Sequence, residues 1–299
     1  MIISDRHQIN GGFFILKIAL DLQINSEIKD LRYFLHIGYN GYNYRGWQRQ
    51  HRVLSIQEVL ETNLSKLLKT KITCLGCGRT DAQVHANQYF FHMDVEKEWS
   101  FDLKFRLNKM LAEDIALFDI IPVDGYPHAQ FSVLTRTYDY FIHTYKDPFL
   151  YYLSAYYPLE KIDLKKMSAA TKLLVGINDF SSFCKSPDKN PSNFCEISSA
   201  KLFSNKTGDK IRFQITSNRF LKAMVRIIVN KLVEVGTGEI TIEEFESFLK
   251  LKATPKTIIP AYPQGLYLSK VTYPFLDIPS RNEFSASFQN SIENAWQTV

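Results

Sequence analysis

The most informative part of the chain is the run at residues 76–86, Gly-Cys-Gly-Arg-Thr-Asp-Ala-Gln-Val-His-Ala. It lies between two stretches of strand-like composition, and its glycines favour a turn. Turns between rigid strands often present reactive side chains. This turn carries a guanidinium, Arg79, a carboxylate, Asp81, and an imidazole, His85. Taken alone, Asp81 could equally be an ordinary turn residue that pairs with Arg79 at the surface.

The segments around this run follow the periodicities of strands and amphipathic helices. The predicted strands cover residues 33–37, 72–75, 88–95, 116–123, 131–144, 197–204, 209–217 and 266–273. Five helices are predicted. The first begins at Ser55, the second and third cover 101–111 and 163–175, the fourth extends from about Phe220 to Val235 before Gly236, and the fifth begins at Thr241. Ser55 and Thr241 each precede a glutamate by three residues, which is the spacing of a capping box. Two successive series of strands and helices predict an α+β protein with antiparallel sheets.

The composition allows a nucleic-acid partner without establishing one. The 299 residues carry a formal net charge of +5 at pH 7, and the sequence pI is about 8.8. This mild excess suits an anionic partner such as RNA, but it fits a solvated basic surface equally well. No apolar stretch is long enough to span a bilayer, and the N-terminus lacks the pattern of a signal peptide. We therefore expect a cytoplasmic protein.

The four cysteines are too few for a disulfide framework at this length, and they suit a reducing compartment. Cys74 and Cys77 have the Cys-x-x-Cys spacing of metal and redox sites. A structural metal site usually needs four ligands, and the other pair, Cys184 and Cys195, lacks tight spacing. We therefore expect core or turn cysteines and no metal, with a metal- or thiol-dependent protein as the weaker alternative.

The run at 76–86 closely resembles the Gly-Arg-Thr-Asp-Ala-Gly-Val-His-Ala signature of the TruA family of tRNA pseudouridine synthases. Other blocks resemble motifs of this family in the same order, and the likeness extends over roughly residues 31–274. These blocks include 39–41, 46–50, 55–57, 106–108, 129–140, 176–183, 220–238 and 260–268. Each block is weak evidence for the family when taken alone, whereas all of them together, in the same order, are specific to it.

This resemblance implies the pseudouridine synthase fold, in which two α+β halves with antiparallel sheets flank a basic active-site cleft. It implies isomerisation of uridine to pseudouridine at positions 38–40 of the tRNA anticodon stem-loop, by a homodimer without a cofactor. The first half would carry Asp81 and Tyr138, and the second half Arg226. We divide the chain into an N-terminal extension (1–30), an N-terminal catalytic half (31–150), a C-terminal half (151–275) and a C-terminal tail (276–299).

The same resemblance assigns roles to individual side chains. Asp81 is the nucleophile that holds an intermediate covalently while the base turns over. Arg226 pairs with Asp81 and keeps the carboxylate charged and aligned. Tyr138 lies against the uracil ring and is a candidate for removing the proton from C5. Arg79 helps to extrude the target nucleotide or holds its phosphate. The substrate-binding residues are completed by Tyr138, Arg45, Gln48 and Arg136.

Three positions depart from the family pattern. Gln83 stands where the family usually has Gly, Gln130 where it has Arg, and Asn178 where it has His. Either the turn at Gln83 does not need a positive φ or the loop is slightly re-aimed, because a residue with a Cβ loses roughly 1–2 kcal/mol in that conformation. The missing cation at Gln130 is expected to weaken a phosphate contact or to change the substrate. Two alternatives stay open, an RNA-binding protein without turnover and the same chemistry on another RNA.

Overall fold

Ten strands form one continuous sheet in the computed structural model, which describes residues 30–252, 255, 258–279 and 296–299. The order across the sheet is β10–β7–β8–β5–β9–β3–β1–β4, with β2 beside β3 and β6 beside β5. Most pairings are antiparallel. The α+β class is therefore confirmed. The strands are β1 (Leu31–Tyr39), β2 (Leu75–Gly76), β3 (His85–Val95), β4 (Ile115–Pro122), β5 (Thr135–His143), β6 (Ala155–Tyr156), β7 (Ile197–Ser204), β8 (Lys210–Ser217), β9 (Leu266–Thr272) and β10 (Gln297–Thr298).

Five α-helices accompany the sheet in the part of the chain that the structure describes. They are α1 (Ile56–Leu68), α2 (Leu103–Met110), α3 (Leu164–Lys172), α4 (Met224–Thr237) and α5 (Ile242–Lys250). Four of them begin at a side chain that accepts a hydrogen bond from a backbone N–H three residues on, namely Ser55, Asp102, Asp163 and Thr241. The helix starts predicted at Ser55 and Thr241 are confirmed.

The sheet joins the two predicted halves at β9, which lies between β5 and β3. It pairs antiparallel with β5 and parallel with β3, where the register covers only His85–Ala86 and Tyr267–Leu268. Strand β5 precedes the predicted boundary near residue 150, yet it pairs with β8 and β9, which follow that boundary. The domain boundary stays a prediction, and the sheet continues across it.

Two apolar cores lie on either side of this junction. One packs α1 and α2 with β1 and β3, and the other packs α3, α4 and α5 with β5, β7 and β8. Tyr138 packs against both cores. Its strand therefore places this side chain where the two halves of the molecule meet.

Helix α4 differs from its prediction at both ends. It begins at Met224 instead of Phe220, because Ala223 takes up a left-handed conformation with φ of 59°. It continues through Gly236, where a Cβ would come within 2.7 Å of a side chain of α3. Gly236 therefore serves close helix packing, and the left-handed residue that ends the helix is Gly238, with φ of 81°.

The ends of the chain and one short strand also differ from expectation. The strand predicted at 72–75 is wrong in extent, since only Leu75–Gly76 pairs with β3. In the predicted tail, β10 pairs with β7, and Trp296 packs on Phe141 at a centroid distance of 6.0 Å. The predicted extension at 1–30 lies outside the described residues, apart from Asp30. Across the described ranges, no helix has the length and apolarity needed to cross a membrane.

Candidate active site

The loop of residues 77–84 between β2 and β3, the catalytic loop, carries Asp81. It is fixed by Tyr39 at the end of β1 and by the segment that follows. The hydroxyl groups of Thr80 and Tyr39 share a hydrogen bond of 2.9 Å. The Thr80 carbonyl accepts a hydrogen bond from the Trp47 N–H at 3.3 Å. Gly46 lies against the same peptide, because a Cβ there would come within 2.3 Å of the Thr80 carbonyl oxygen. The backbone immediately before Asp81 is therefore constrained from two directions.

Gln83 adopts the left-handed conformation for which glycine is best suited, with φ of 66°. Its N–H donates to the Tyr44 carbonyl at 3.1 Å, and the Val84 N–H donates to the Asp81 carbonyl at 3.2 Å. Of the two alternatives for this position, the first is wrong, because the turn does use a positive φ. Gln83 accommodates that conformation at a strain of roughly 1–2 kcal/mol.

Asp81 forms an ion pair with Arg226, which lies in the first turn of α4. Nη1 of Arg226 donates to Oδ2 of Asp81 at 3.1 Å. Nε of the same guanidinium donates to the Ala261 carbonyl at 2.7 Å, so the segment before β9 orients the arginine. The Arg226 side chain is 16% exposed and the Asp81 side chain 38%. The carboxylate is therefore aligned by a cation and still accessible to a substrate.

Tyr138 lies on β5, opposite Ile215 of β8 and Leu268 of β9. Its half-buried ring meets Phe220 edge to face, with the ring centroids 5.1 Å apart. Burial raises the pKa of Tyr138 well above its ordinary value of 10.0, and the negative charge of Asp81 acts in the same direction. The phenol is therefore protonated at neutral pH and close enough to Asp81 to sense its charge.

Arg136, also on β5, ties three loops together through backbone carbonyl groups. Its Nε and Nη2 donate to Cys77, Nη2 donates to Gln130 at 3.1 Å, and Nη1 donates to Asn218 at 3.2 Å. Within the described residues, one of its five N–H groups is left for a ligand. The guanidinium thus supports the catalytic loop, and its predicted contact with substrate stays a prediction.

The other predicted substrate-binding side chains differ in their exposure and in their contacts with the rest of the protein. Arg79 and Arg45 are exposed, and within the described ranges they form no ion pair. The side-chain amide of Gln48 instead donates to Oε1 of Gln57 on α1 at 2.8 Å. The geometry leaves both arginines available to an anion and gives Gln48 a structural contact. Their binding roles stay predictions.

His85 holds three segments together as a buried, neutral group. The Gly41 N–H donates to its Nδ1 at 3.1 Å, so Nε2 carries the proton and donates to the Gln264 carbonyl at 3.1 Å. The ring stacks on Tyr267 at a centroid distance of 4.4 Å. Burial lowers the pKa of His85 to about 4 from its ordinary 6.5. His85 therefore fixes the end of the catalytic loop and is poorly suited to proton transfer.

The cysteines are core residues, as expected. Cys74, Cys77, Cys184 and Cys195 are all buried, free thiols. Burial raises the pKa of both Cys77 and Cys195 to about 11, so their thiolates are scarce at neutral pH. In the part of the chain that the structure describes, no group of three or more Cys, His, Asp or Glu side chains is placed to hold a metal ion.

Two contacts of this site escape prediction from sequence. Ala261 orients Arg226 through a backbone carbonyl, which leaves no signature in the residue type. Phe220 packs on Tyr138, but its sequence pattern is that of any core aromatic residue. Both residues lie in blocks that resemble family motifs, and that position is the signal that could have found them.

The structure brings Asp81, Arg226 and Tyr138 together from a loop, a helix and a strand that are far apart in sequence. The site thus presents one accessible carboxylate, a cation that aligns it and an aromatic ring close by. A fixed carboxylate of this kind can attack an electrophilic carbon and hold the product covalently.

Comparisons with known proteins identify the family to which the chain is similar. A family model described as tRNA pseudouridine synthase matches residues 170–274. The tRNA pseudouridine synthase A of Parabacteroides distasonis is 40% identical over 248 residues, which cover 81% of this chain and 96% of that protein. Proteins of the same name from Porphyromonas gingivalis and Shewanella piezotolerans are 36% and 38% identical, covering 81% and 82% of this chain and 97% and 94% of their own lengths. The chain therefore belongs to the tRNA pseudouridine synthase family.

Proposed function

We propose that this protein isomerises uridine to pseudouridine in tRNA, with Asp81 as the nucleophile. The observation that carries the proposal is the ion pair between Asp81 and Arg226 beside the ring of Tyr138. The names of the relatives support both the reaction and the substrate class.

The reaction needs a nucleophile and room for the base to turn, without redox change. The bond between N1 of uracil and C1′ of ribose breaks, and a bond between C5 and C1′ replaces it. A proton leaves C5 and N1 gains one, so the atoms balance. Asp81 can carry the covalent intermediate whether its oxygen adds to C1′ or to C6. The rearrangement is internal and calls for neither cofactor nor metal.

Arg226 and Tyr138 act around this carboxylate in different ways. Arg226 holds the carboxylate of Asp81 in one orientation. A general base works best with a pKa near the working pH, and burial moves the pKa of Tyr138 away from that range. We therefore favour packing against the uracil ring for Tyr138 over removal of the C5 proton.

Arg79 is the exposed cation closest in sequence to the nucleophile, two residues before it in the same loop. A target uridine must leave the helical stack, which costs a few kcal/mol. We propose that Arg79 fills the vacated space or holds the adjacent phosphate. Arg45, Gln48 and Arg136 are proposed as further contacts, with Arg136 restricted to the N–H group that its loops leave unused.

Family resemblance supports finer statements as part of this proposal. We propose uridines 38–40 of the anticodon stem-loop as targets, a homodimer as the active form, and the cytoplasm as the location. The net charge of +5 is compatible with a tRNA partner.

The test is to incubate the purified protein with a transcribed tRNA that carries uridine at positions 38–40. Pseudouridine is then mapped by carbodiimide modification and reverse transcription. A transcript with cytidine at those positions is the matched control. Stops confined to positions 38–40 of the first transcript support the proposal, stops elsewhere contradict the assigned positions, and no stops in either transcript contradict the function.

A further inference from the structure

A junction of three loops lies at the start of the catalytic loop. At its centre is the guanidinium of Arg136, which donates to the carbonyl groups of Cys77, Gln130 and Asn218. Carbonyl oxygens bound to one guanidinium lie within roughly 7 Å of each other. The catalytic loop, the loop after β4 and the segment after β8 therefore meet at one point.

Arg219 follows this junction by one residue and is presented on a fixed backbone. The Asn218 N–H donates to the Glu196 carbonyl at 3.2 Å, and Oδ1 of Asn218 accepts from the Glu196 N–H at 3.0 Å. On its other side, Phe220 packs on Tyr138 at 5.1 Å between ring centroids. Arg219 is exposed, and over the residues described here it forms no ion pair. This places the backbone of Arg219, an exposed cation among the described residues, at the rim of the active site, next to the Phe220 ring that packs on Tyr138.

The position of Arg219 matters because of a charge that is missing across the junction. Gln130 stands where the resembled family usually carries an arginine. The carbonyl groups of Gln130 and Asn218 bind the same guanidinium, so the two loops are neighbours. A cation at position 219 can therefore reach the same region beside the junction that a cation at position 130 would reach.

We propose that Arg219 binds a phosphate of the RNA substrate at this rim and replaces the charge that Gln130 lacks. The inference rests on the proposed function. The planar guanidinium of arginine matches phosphate oxygens in a two-pronged contact. Arg79 and Arg219, on two loops that Arg136 joins, then contact the RNA backbone on either side of the extruded nucleotide.

Loss of one phosphate contact lowers affinity and reduces its dependence on salt. For Arg219→Gln we expect the Kd for tRNA to rise roughly 5- to 10-fold at about 100 mM salt, and the slope of log affinity against log salt to decrease by about 0.7–0.9. Lys201→Gln removes an exposed positive charge on β7, away from the junction, and should keep both values. Fluorescence anisotropy with labelled tRNA over a salt series measures them.

A double variant transfers the positive charge from position 219 to position 130. Gln130→Arg added to Arg219→Gln should return the Kd and the salt slope towards the wild-type values. The inference is overturned if Arg219→Gln matches Lys201→Gln at every salt concentration, or if Gln130→Arg fails to restore a lost contact. Pseudouridine formation on the same tRNA separates the two proposals. Turnover by wild type, together with a Kd and a salt slope of Arg219→Gln equal to those of wild type, contradicts only this inference, whereas no turnover by wild type contradicts the proposed function.

Discussion

At the scale of single residues, the contact between Asp81 and Arg226 contributes direction more than stability. Partly exposed ion pairs stabilise a fold by about 0–1 kcal/mol, and the Asp81 side chain is 38% exposed. The arginine uses two nitrogens, with Nε on the Ala261 carbonyl and Nη1 on the carboxylate. A lysine has one nitrogen and cannot hold this geometry.

We therefore predict that Arg226→Lys keeps the positive charge but lowers kcat by about 100-fold, since small misplacements of a reacting group have effects of this size. The KM for tRNA should change little. Steady-state kinetics on tRNA measure both values. Arg212→Lys is the control, because the Arg212 side chain is as buried as that of Arg226, at 17% against 16% exposed, and its carboxylate partner at 2.7 Å is Asp139 instead of Asp81. A normal kcat for Arg226→Lys would contradict the aligning role.

The sequence predicts the residues whose side chains carry chemistry better than those that act through the backbone. Asp81, Tyr138 and Arg226 stand in motifs specific enough to single them out, and the structure places them together. The support that Arg136 gives to three loops depends on carbonyl groups that every residue has. Such contacts are set by the tertiary fold, so residue types alone do not reveal them.

At the scale of elements, the catalytic loop depends on how closely its neighbour approaches. Gly46 has φ of 88°, and a Cβ there would meet the Thr80 carbonyl oxygen at 2.3 Å. Gly238 has a similar φ of 81°, but a Cβ there would have nothing within 4 Å. The two glycines thus share a left-handed backbone conformation and differ in contact with the loop.

This difference gives a matched pair of variants. Gly46→Ala and Gly238→Ala should each lose about 1–2 kcal/mol of unfolding free energy from the left-handed backbone, measured by urea denaturation. Gly46→Ala should lose more and should also lower kcat at least about 10-fold, because the Asp81 loop must shift. Equal kcat values for the two folded variants would show that the approach of Gly46 does not position the nucleophile.

Local signals predict helix starts well where a side chain caps the helix. Ser55 and Thr241 are found as caps at the expected positions. The start of α4 is missed, because Ala223 in a left-handed conformation has no signature in sequence. Gly236 is misassigned as a stop because a glycine that permits close packing looks the same in sequence as one that ends a helix.

At the scale of the whole molecule, one sheet carries the parts of the site. Strand β9 inserts between β5 and β3, so residues near 138 and 268 become neighbours. The number and approximate position of the long strands follow from residue periodicity. Their order does not, because it depends on pairing between segments more than a hundred residues apart.

Buried histidines make the stability of the folded protein sensitive to pH. Burial lowers the pKa of His85 to about 4, so between this value and 6.5 the unfolded chain binds a proton that the folded protein does not. The contribution of neutral His85 to the free energy of unfolding is complete above pH 6.5 and is lost as the pH falls towards 4. His92 acts in the same direction, since burial also lowers its pKa to about 4.

We predict that unfolding free energy drops between pH 7 and pH 5, with about 2 kcal/mol of the loss due to His85. His85→Gln should reduce the drop by that amount in urea titrations at the two pH values. His51→Gln changes an exposed histidine and should leave the drop as in wild type. An identical drop in wild type and His85→Gln would contradict the neutral, buried state of His85.

The proposed mechanism depends on Asp81 as the nucleophile of a tRNA pseudouridine synthase. Its most direct test is tritium release from tRNA labelled at C5 of uridine, measured for wild type and Asp81→Ala side by side, with tRNA binding measured on both. We predict release by wild type and less than about one thousandth of that rate for Asp81→Ala, with tRNA affinity largely kept. Release by Asp81→Ala at a rate close to wild type would contradict this mechanism.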